Sequence, residues 1–379
     1  MIHGMWNDTP FTRLLGLRYP IVQGPFGGGF SSPRLTATIS NVGGLGSFGA
    51  QGQPPARMGE IVGDIRQLTA APFAVNLWVS TEDEAARTLD RAAYEAALQP
   101  LASLFAELGV QPPAYPFAPW PSFRDQADAL IAARPPIISF IFGIPSAAVL
   151  DRCRTQGIAT MGVTTTPQEA RAFEEAGIDV VVASGFEAGG HRASFMRSAG
   201  SSLTGTFALV PQVVDAVKIP VVAAGGIADA RGVAAALTLG AHGAQIGTAF
   251  LACEESNAPA IHKEVLHGPL VGQTALTTGF SGRLARGVRN ALVDLYDDPT
   301  VPRLPYPLQG QLVGALRERA ITQGRLDLIS LWSGQAAPLV RHHRAGELFE
   351  DLIAGTQAIF EGRGTATRPS GTSRTESTR

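Results

Sequence analysis

The sequence predicts an α/β fold with parallel strands, on three observations. Short apolar or β-branched runs alternate with Gly/Ser/Thr turns and with Ala-rich stretches of helical period, several times over. Hydrophobic residues make up 45% of the 379-residue chain and charged residues only 16%, enough apolar material for one large core. The 43 Gly and 27 Pro are well spread, which excludes a disordered, collagen-like or coiled-coil chain.

Taken in order, strands are expected near 19–23, 44–48, 73–78, 137–142, 159–163, 179–184, 220–224 and 243–247. Eight such units predict a (β/α)8 TIM barrel. The later units are the clearest, because Thr166-Pro167 opens a helix stopped by Gly177 and Asp229 caps one stopped by Gly240. The stretch 79–135 is too long for a crossover, and its Pro/aromatic run from Pro112 to Pro121 marks an insertion. After the eighth strand the pattern breaks, and 274–361 is expected to fold with the insertion into a smaller, mainly helical lobe over the barrel mouth. The barrel is then 1–78 with 136–273, and the Thr/Ser/Arg/Gly tail 362–379 is expected to be disordered.

Charge and cysteine usage narrow the partner. Lys+Arg 30 against Asp+Glu 32 gives a net charge of -2, and no long basic run precedes the tail, so nucleic acid is not an expected partner. No apolar stretch reaches the roughly 18 residues of a membrane span, and the N-terminus has no signal-peptide pattern. Cys153 and Cys253 lack metal or disulfide spacing and read as buried thiols, so a reducing cytoplasm is the expected setting. His262 with His267, and His342 with His343, have the wrong spacing for ligands on one face, so no metal site is expected.

Four segments carry candidate chemistry, and all fall at strand ends. Gly225-Gly226 and Gln245-Ile246-Gly247-Thr248 follow the seventh and eighth strands, where backbone N–H groups of a barrel hold a phosphate. Either glycine segment alone fits a tight turn equally well, and the two together in this order favour phosphate. Gly24-Pro25-Phe26 opens a loop poor in side chains, suited to a flat ring or simply flexible. Asn76 sits in an apolar strand and needs partners, either the edge of a bound heterocycle or a neighbouring loop. His191, in Glu187-Ala188-Gly189-Gly190-His191-Arg192, is either a catalytic acid/base or a solvated loop histidine. No GxSxG motif is present, which argues against a serine hydrolase elbow.

In order, these motifs resemble those of the nitronate monooxygenase family, formerly called 2-nitropropane dioxygenases. Tyr19-Pro20-Ile21-Val22-Gln23-Gly24-Pro25 with Asn41-Val42-Gly43-Gly44-Leu45-Gly46 is similar to the family's opening motif, and the resemblance runs from about Phe11 to Phe360. It implies an FMN-dependent (β/α)8 barrel enzyme. Gly24, Pro25 and Phe26 would then lie along the flavin, Asn76 would bond its pyrimidine edge, and Ser184 and Gly189 would approach the ring. Gly225, Gly226, Gln245, Ile246, Gly247 and Thr248 would hold the phosphate, and His191 would be catalytic. Phe26 and Ser184 depart from the Met and Gln common in the family, which bears on redox tuning and substrate fit.

The reaction implied is oxidation of an alkyl nitronate, propionate 3-nitronate or a nitroalkane included, with O2 to a carbonyl compound and nitrite. Arg283, Arg289 and Tyr306 are candidates for the substrate pocket, with surface or interlobe pairing as the alternative. A homodimer is compatible with the resemblance. The rival within the same flavoprotein group is an FMN-dependent enoyl-acyl-carrier-protein reductase using NAD(P)H, and a flavin-binding scaffold without turnover is the reading outside catalysis.

Overall fold

A computed structural model describes residues 5–80 and 82–363. The tail from residue 364 on, expected to be disordered, lies outside the described residues.

The eight expected strands all form: β1 Ile21–Gln23, β2 Gly46–Gly49, β3 Phe73–Trp78, β4 Ile137–Ile141, β5 Ala159–Thr164, β6 Val180–Ser184, β8 Val221–Ala224 and β9 Gly243–Ile246. They pair in parallel in the order β1-β9-β8-β6-β5-β4-β3-β2. A parallel bridge between Val22 and Leu45, with Leu45 N–H donating to Ile21 O at 2.9 Å, joins the two ends and closes the barrel.

Alternation along each strand divides the core. Val22, Val180, Val182 and Val222 point inward, while Ile21, Val181 and Val221 face the covering helices. The short helix Pro10–Leu15 puts Phe11 and Leu15 into the inner cluster, where Phe11 meets Gly243 at the N-terminal end of β9. That end is plugged, so the opposite mouth is the open one. Helix termini follow the sequence: Thr166 accepts from Glu169 N–H, Gly177 ends the helix Pro167–Ala176 at φ 87°, and Asp229 caps the helix Ala230–Thr238. Cys153 and Cys253 are buried free thiols, which burial pushes up to about 11 and about 12.

A second apolar cluster joins Tyr94, Leu101 and Phe105 to Phe280, Leu292, Leu312 and Leu331. It is not purely helical. A three-stranded antiparallel sheet runs through it, made of β10 Thr274–Thr277, β11 Ala285–Val288 and the two-residue β7 Gly190–His191. Two helices in segments expected to join the lobe pack elsewhere. Phe123–Ala133 buries Leu130 and Ile131, and Ala345–Phe360 buries Phe349 and Leu352, in the cluster that covers the barrel strands.

Candidate active site

A cavity of about 410 Å³ occupies the open mouth, lined from the C-terminal ends of the barrel strands below and the second cluster above. After β1, Gly24, Pro25 and Phe26 form one wall. Ser31 pins this loop: its Oγ accepts from Phe26 N–H at 3.0 Å and from Gly49 N–H at 2.9 Å, and donates to Phe26 O. The loop is therefore held by three hydrogen bonds rather than left flexible.

Two amides face the cavity. Asn76 is buried and donates through Nδ2 to Ser139 O and Oγ at 3.2 and 3.0 Å, while among the described residues its Oδ1 has no protein donor. Gln245, at the end of β9, lines the same space with neither end of its amide bonded to protein among the described residues. Each leaves polar capacity for a ligand.

The glycines of the far wall have distinct duties. Gly225 adopts φ 101° and packs so close to Gly185 O that a Cβ would stand 2.9 Å away, so this turn requires glycine. A Cβ on Gly247 would instead meet nothing within 4 Å, because its open side is the cavity. Among the described residues the N–H groups of Gly226 and Gly247 have no protein acceptor. Thr248 Oγ1 accepts from Gly334 N–H at 2.9 Å, and a Cβ on Gly189 would stand 2.7 Å from Gly334 N, so the 333–335 segment closes this wall.

His191 is carried to the opposite side by β7, whose pairing with β11 sets His191 opposite Ala285. Its Nε2 is 2.8 Å from Ser281 Oγ, and among the described residues its Nδ1 has no protein partner. Trp78 and Trp332 each have ring centroids 5.3 Å from the imidazole, and Phe142 and Tyr306 each 6.1 Å. Burial in this aromatic box, with Arg283 second, pushes the imidazole down to about 3, so it is neutral at ordinary pH. Phe142 holds φ 67° at the end of β4, a left-handed conformation that side-chain-bearing residues rarely adopt.

The arrangement combines a neutral histidine with one nitrogen free, one unpaired amide and one amide with its oxygen unpaired, and a glycine wall with unpaired N–H groups. A sequence profile of the nitronate monooxygenase family matches residues 8–355. The chain belongs to the nitronate monooxygenase family. It is 42% identical over 347 residues to a nitronate monooxygenase of Pseudomonas aeruginosa, covering 90% of this chain and 97% of that one. A nitroalkane oxidase from Streptomyces ansochromogenes superposes with TM-score 0.86 at 36% identity, over 94% of this chain and all of the other. FabK from Thermotoga maritima is more distant, with TM-score 0.72 and 27% identity over 94% of this chain and 98% of that chain.

Within this oxidoreductase family frame, the residues expected at the site come together with one exception. Gly24, Pro25, Phe26, Asn76, Ser184, Gly189, His191, Gly225, Gly226, Gln245, Gly247 and Thr248 all line the cavity. Ile246 does not: its side chain is fully buried in the core outside the strands, and only its carbonyl serves, accepting from Gly24 N–H at 2.9 Å. The inward/outward alternation of β9 dictates this. Of the substrate-pocket candidates, Tyr306 lines the cavity, Arg283 is half-buried behind Tyr306, and Arg289 is an exposed partner of Asp294 and Asp297 at 2.6 Å each.

Sequence reasoning missed Trp78, Phe142, Ser281, Arg317 and Trp332 as site residues. Arg317 lines the outer cavity, donates to Gly28 O at 3.2 Å and stacks over Phe30. Among the described residues no three His, Cys, Asp or Glu are arranged to hold a metal, and no helix is long and apolar enough to cross a membrane.

Proposed function

We propose that this enzyme is an FMN-dependent nitronate monooxygenase that converts small alkyl nitronates, propionate 3-nitronate among them, with O2 to carbonyl compounds and nitrite. The observation that carries this reading is His191, neutral, tied through Nε2 to Ser281 and open to the cavity through its other face. The family is flavin-dependent, and the residues present fit such a group. The acceptorless N–H groups of Gly226 and Gly247 suit a phosphate, and the free amide ends of Asn76 and Gln245 suit the imide edge of a flavin ring.

In this reading Gly225, Gly226, Gly247 and Thr248 hold the phosphate end. Gly24, Pro25, Phe26, Ser184 and Gly189 lie along the ring, and Asn76 with Gln245 fixes its polar edge. FMN, when bound, supplies the electron-accepting chemistry that no side chain of the cavity offers. With a neutral nitroalkane Nδ1 of His191 takes the α-proton while Nε2–H remains on Ser281 Oγ, and with a preformed nitronate the other tautomer, Nε2 accepting from Ser281 Oγ–H, turns Nδ1–H to the nitronate oxygens. The aromatic box of Trp78, Phe142, Tyr306 and Trp332 excludes water around that exchange. The barrel, 1–78 with 136–273, serves the flavin, and the parts of 79–135 and 274–361 that share the second core cover the substrate.

Anaerobic mixing of the FMN-loaded protein with ethyl nitronate, followed in the visible spectrum, tests the proposal. Bleaching of the oxidised flavin bands, and their recovery with nitrite release on admitting air, is the expected result. Reaction only with NAD(P)H and a crotonyl thioester would replace the proposal with the enoyl reductase reading, and failure to bind FMN would remove it.

A further inference from the structure

Arg283 is a half-buried cation whose counter-charge is distant and partly exposed. Its side chain is 16% exposed, its Nη1 has no hydrogen-bond partner, and its nearest carboxylate, Asp83, stands 4.0 Å away and is 38% exposed. The guanidinium carbon lies 4.0 Å from the centroid of Phe142 and 5.3 Å from that of Tyr306, the two rings that flank His191 on this side. Its backbone is tied to the same site, because Ser281 Oγ, the partner of His191, also accepts from Arg283 N–H at 3.3 Å.

The lining itself carries no carboxylate, and Asp83 stands behind it beside Arg283. Trp78, Phe142, Ser281, Tyr306 and Trp332 bring no ionised group to the imidazole, no Asp or Glu lines the cavity, and the other cation, Arg317, lies on the outer wall. An anion placed beside a neutral histidine in an aromatic box loses hydration and finds no charge in contact with it. Arg283, one ring's thickness behind the wall, is the group placed to offset that loss.

We propose that Arg283 is a specificity-determining residue, whose field through Phe142 and Tyr306 makes the His191 chamber an anion site and selects nitronates over neutral nitroalkanes. This rests on the nitronate reading above. Arg283 lies behind the wall, so it sets the affinity for substrate charge and leaves the chemistry to His191. At a separation of about 10 Å or less in a partly desolvated wall, one charge changes an anion's affinity by roughly tenfold.

The test uses FMN-loaded wild type, Arg283→Met, Arg283→Gln, Arg283→Lys and, as a surface control, Arg289→Gln. KM and kcat are measured with ethyl nitronate and with its neutral conjugate nitroethane, and nitrate binding to each holoenzyme is measured by titration calorimetry. Arg283→Met or Arg283→Gln is expected to raise the ethyl nitronate KM and the nitrate Kd by about tenfold. The nitroethane KM should stay within about twofold, and Arg283→Lys should restore most of the loss. Equal losses for the anionic and neutral substrates, or an unchanged nitrate Kd, would overturn the proposal. If wild type oxidises neither substrate the nitronate reading fails, and the nitrate comparison still decides whether Arg283 makes an anion site.

Discussion

His191 Nε2 and Ser281 Oγ lie 2.8 Å apart although 90 positions separate them in the chain, and among the described residues this is the only hydrogen bond the imidazole makes. Ser281 is 7% exposed, and the 281–283 turn anchors its Oγ through Arg283 N–H and O at 3.3 and 3.2 Å. The serine therefore fixes both the orientation of the ring and which nitrogen is free. Ser281→Ala is expected to lower kcat/KM for ethyl nitronate by about tenfold or more, the range of a lost hydrogen bond to a catalytic group, with FMN content unchanged. Steady-state kinetics on the FMN-loaded variant checks this, and wild-type kcat/KM would show that the bond is dispensable.

The imidazole's proton affinity gives a pH prediction. Burial, then Arg283, lowers it from 6.5 to about 3, so the folded protein keeps His191 neutral where the unfolded chain would protonate it. The sign follows: above about 6.5 the residue adds no pH dependence, and as pH falls from there towards about 3 it progressively favours the unfolded state. His191→Gln should therefore flatten part of the stability loss on acidification across that window, measured by denaturant titrations at several pH values. A wild-type histidine resonance titrating near 6.5, and absent from His191→Gln, would contradict the buried neutral state.

His191→Ala separates catalysis from binding. None of the groups assigned to the phosphate or to the ring edge depends on the imidazole, so the variant should retain FMN and lose most nitronate oxidation. Unchanged kcat/KM would remove His191 from its role.

The eight barrel strands were legible because each couples an apolar run to a glycine or helix-start signal, and inward-outward alternation follows from that run alone. The lobe sheet was not, since β7 has only two residues, too few for a period, and exists through pairing with β11 about a hundred residues later. The cavity glycines and His191 were legible as local motifs. The box around His191 was not, because Trp78, Phe142, Ser281 and Trp332 come from four distant segments with no shared local pattern. Ile246 shows the opposite failure: a residue inside a genuine motif is turned into the core by the pleat of its strand.

Gly247 distinguishes a structural glycine from a ligand-approach glycine. Its φ of −101° is open to any residue, and the space beside it is cavity. Gly247→Val is expected to leave the melting temperature of the FMN-free protein unchanged while sharply reducing FMN occupancy. Gly225→Ala, by contrast, puts a Cβ at φ 101° against Gly185 O and should destabilise the fold with or without FMN. Comparing FMN absorbance with thermal melts of the stripped proteins reads both, and full FMN occupancy in Gly247→Val would count against the phosphate placement.

Phe349 tests whether the last helix belongs to the barrel. It is fully buried, its ring edge meets Tyr19 with centroids 6.0 Å apart, and a Cβ on Gly44 would stand 2.5 Å from its Cε2. The helix Ala345–Phe360 thus packs on the chain entering β1 and entering β2, where the barrel closes through Val22 and Leu45. Truncating a large ring in so tight a seat leaves a cavity that backbone neighbours cannot fill. Phe349→Ala is therefore expected to cost about 3–5 kcal/mol in denaturant unfolding. A loss under about 1 kcal/mol would mean that the helix only rests on the barrel surface and that the seam closes without it.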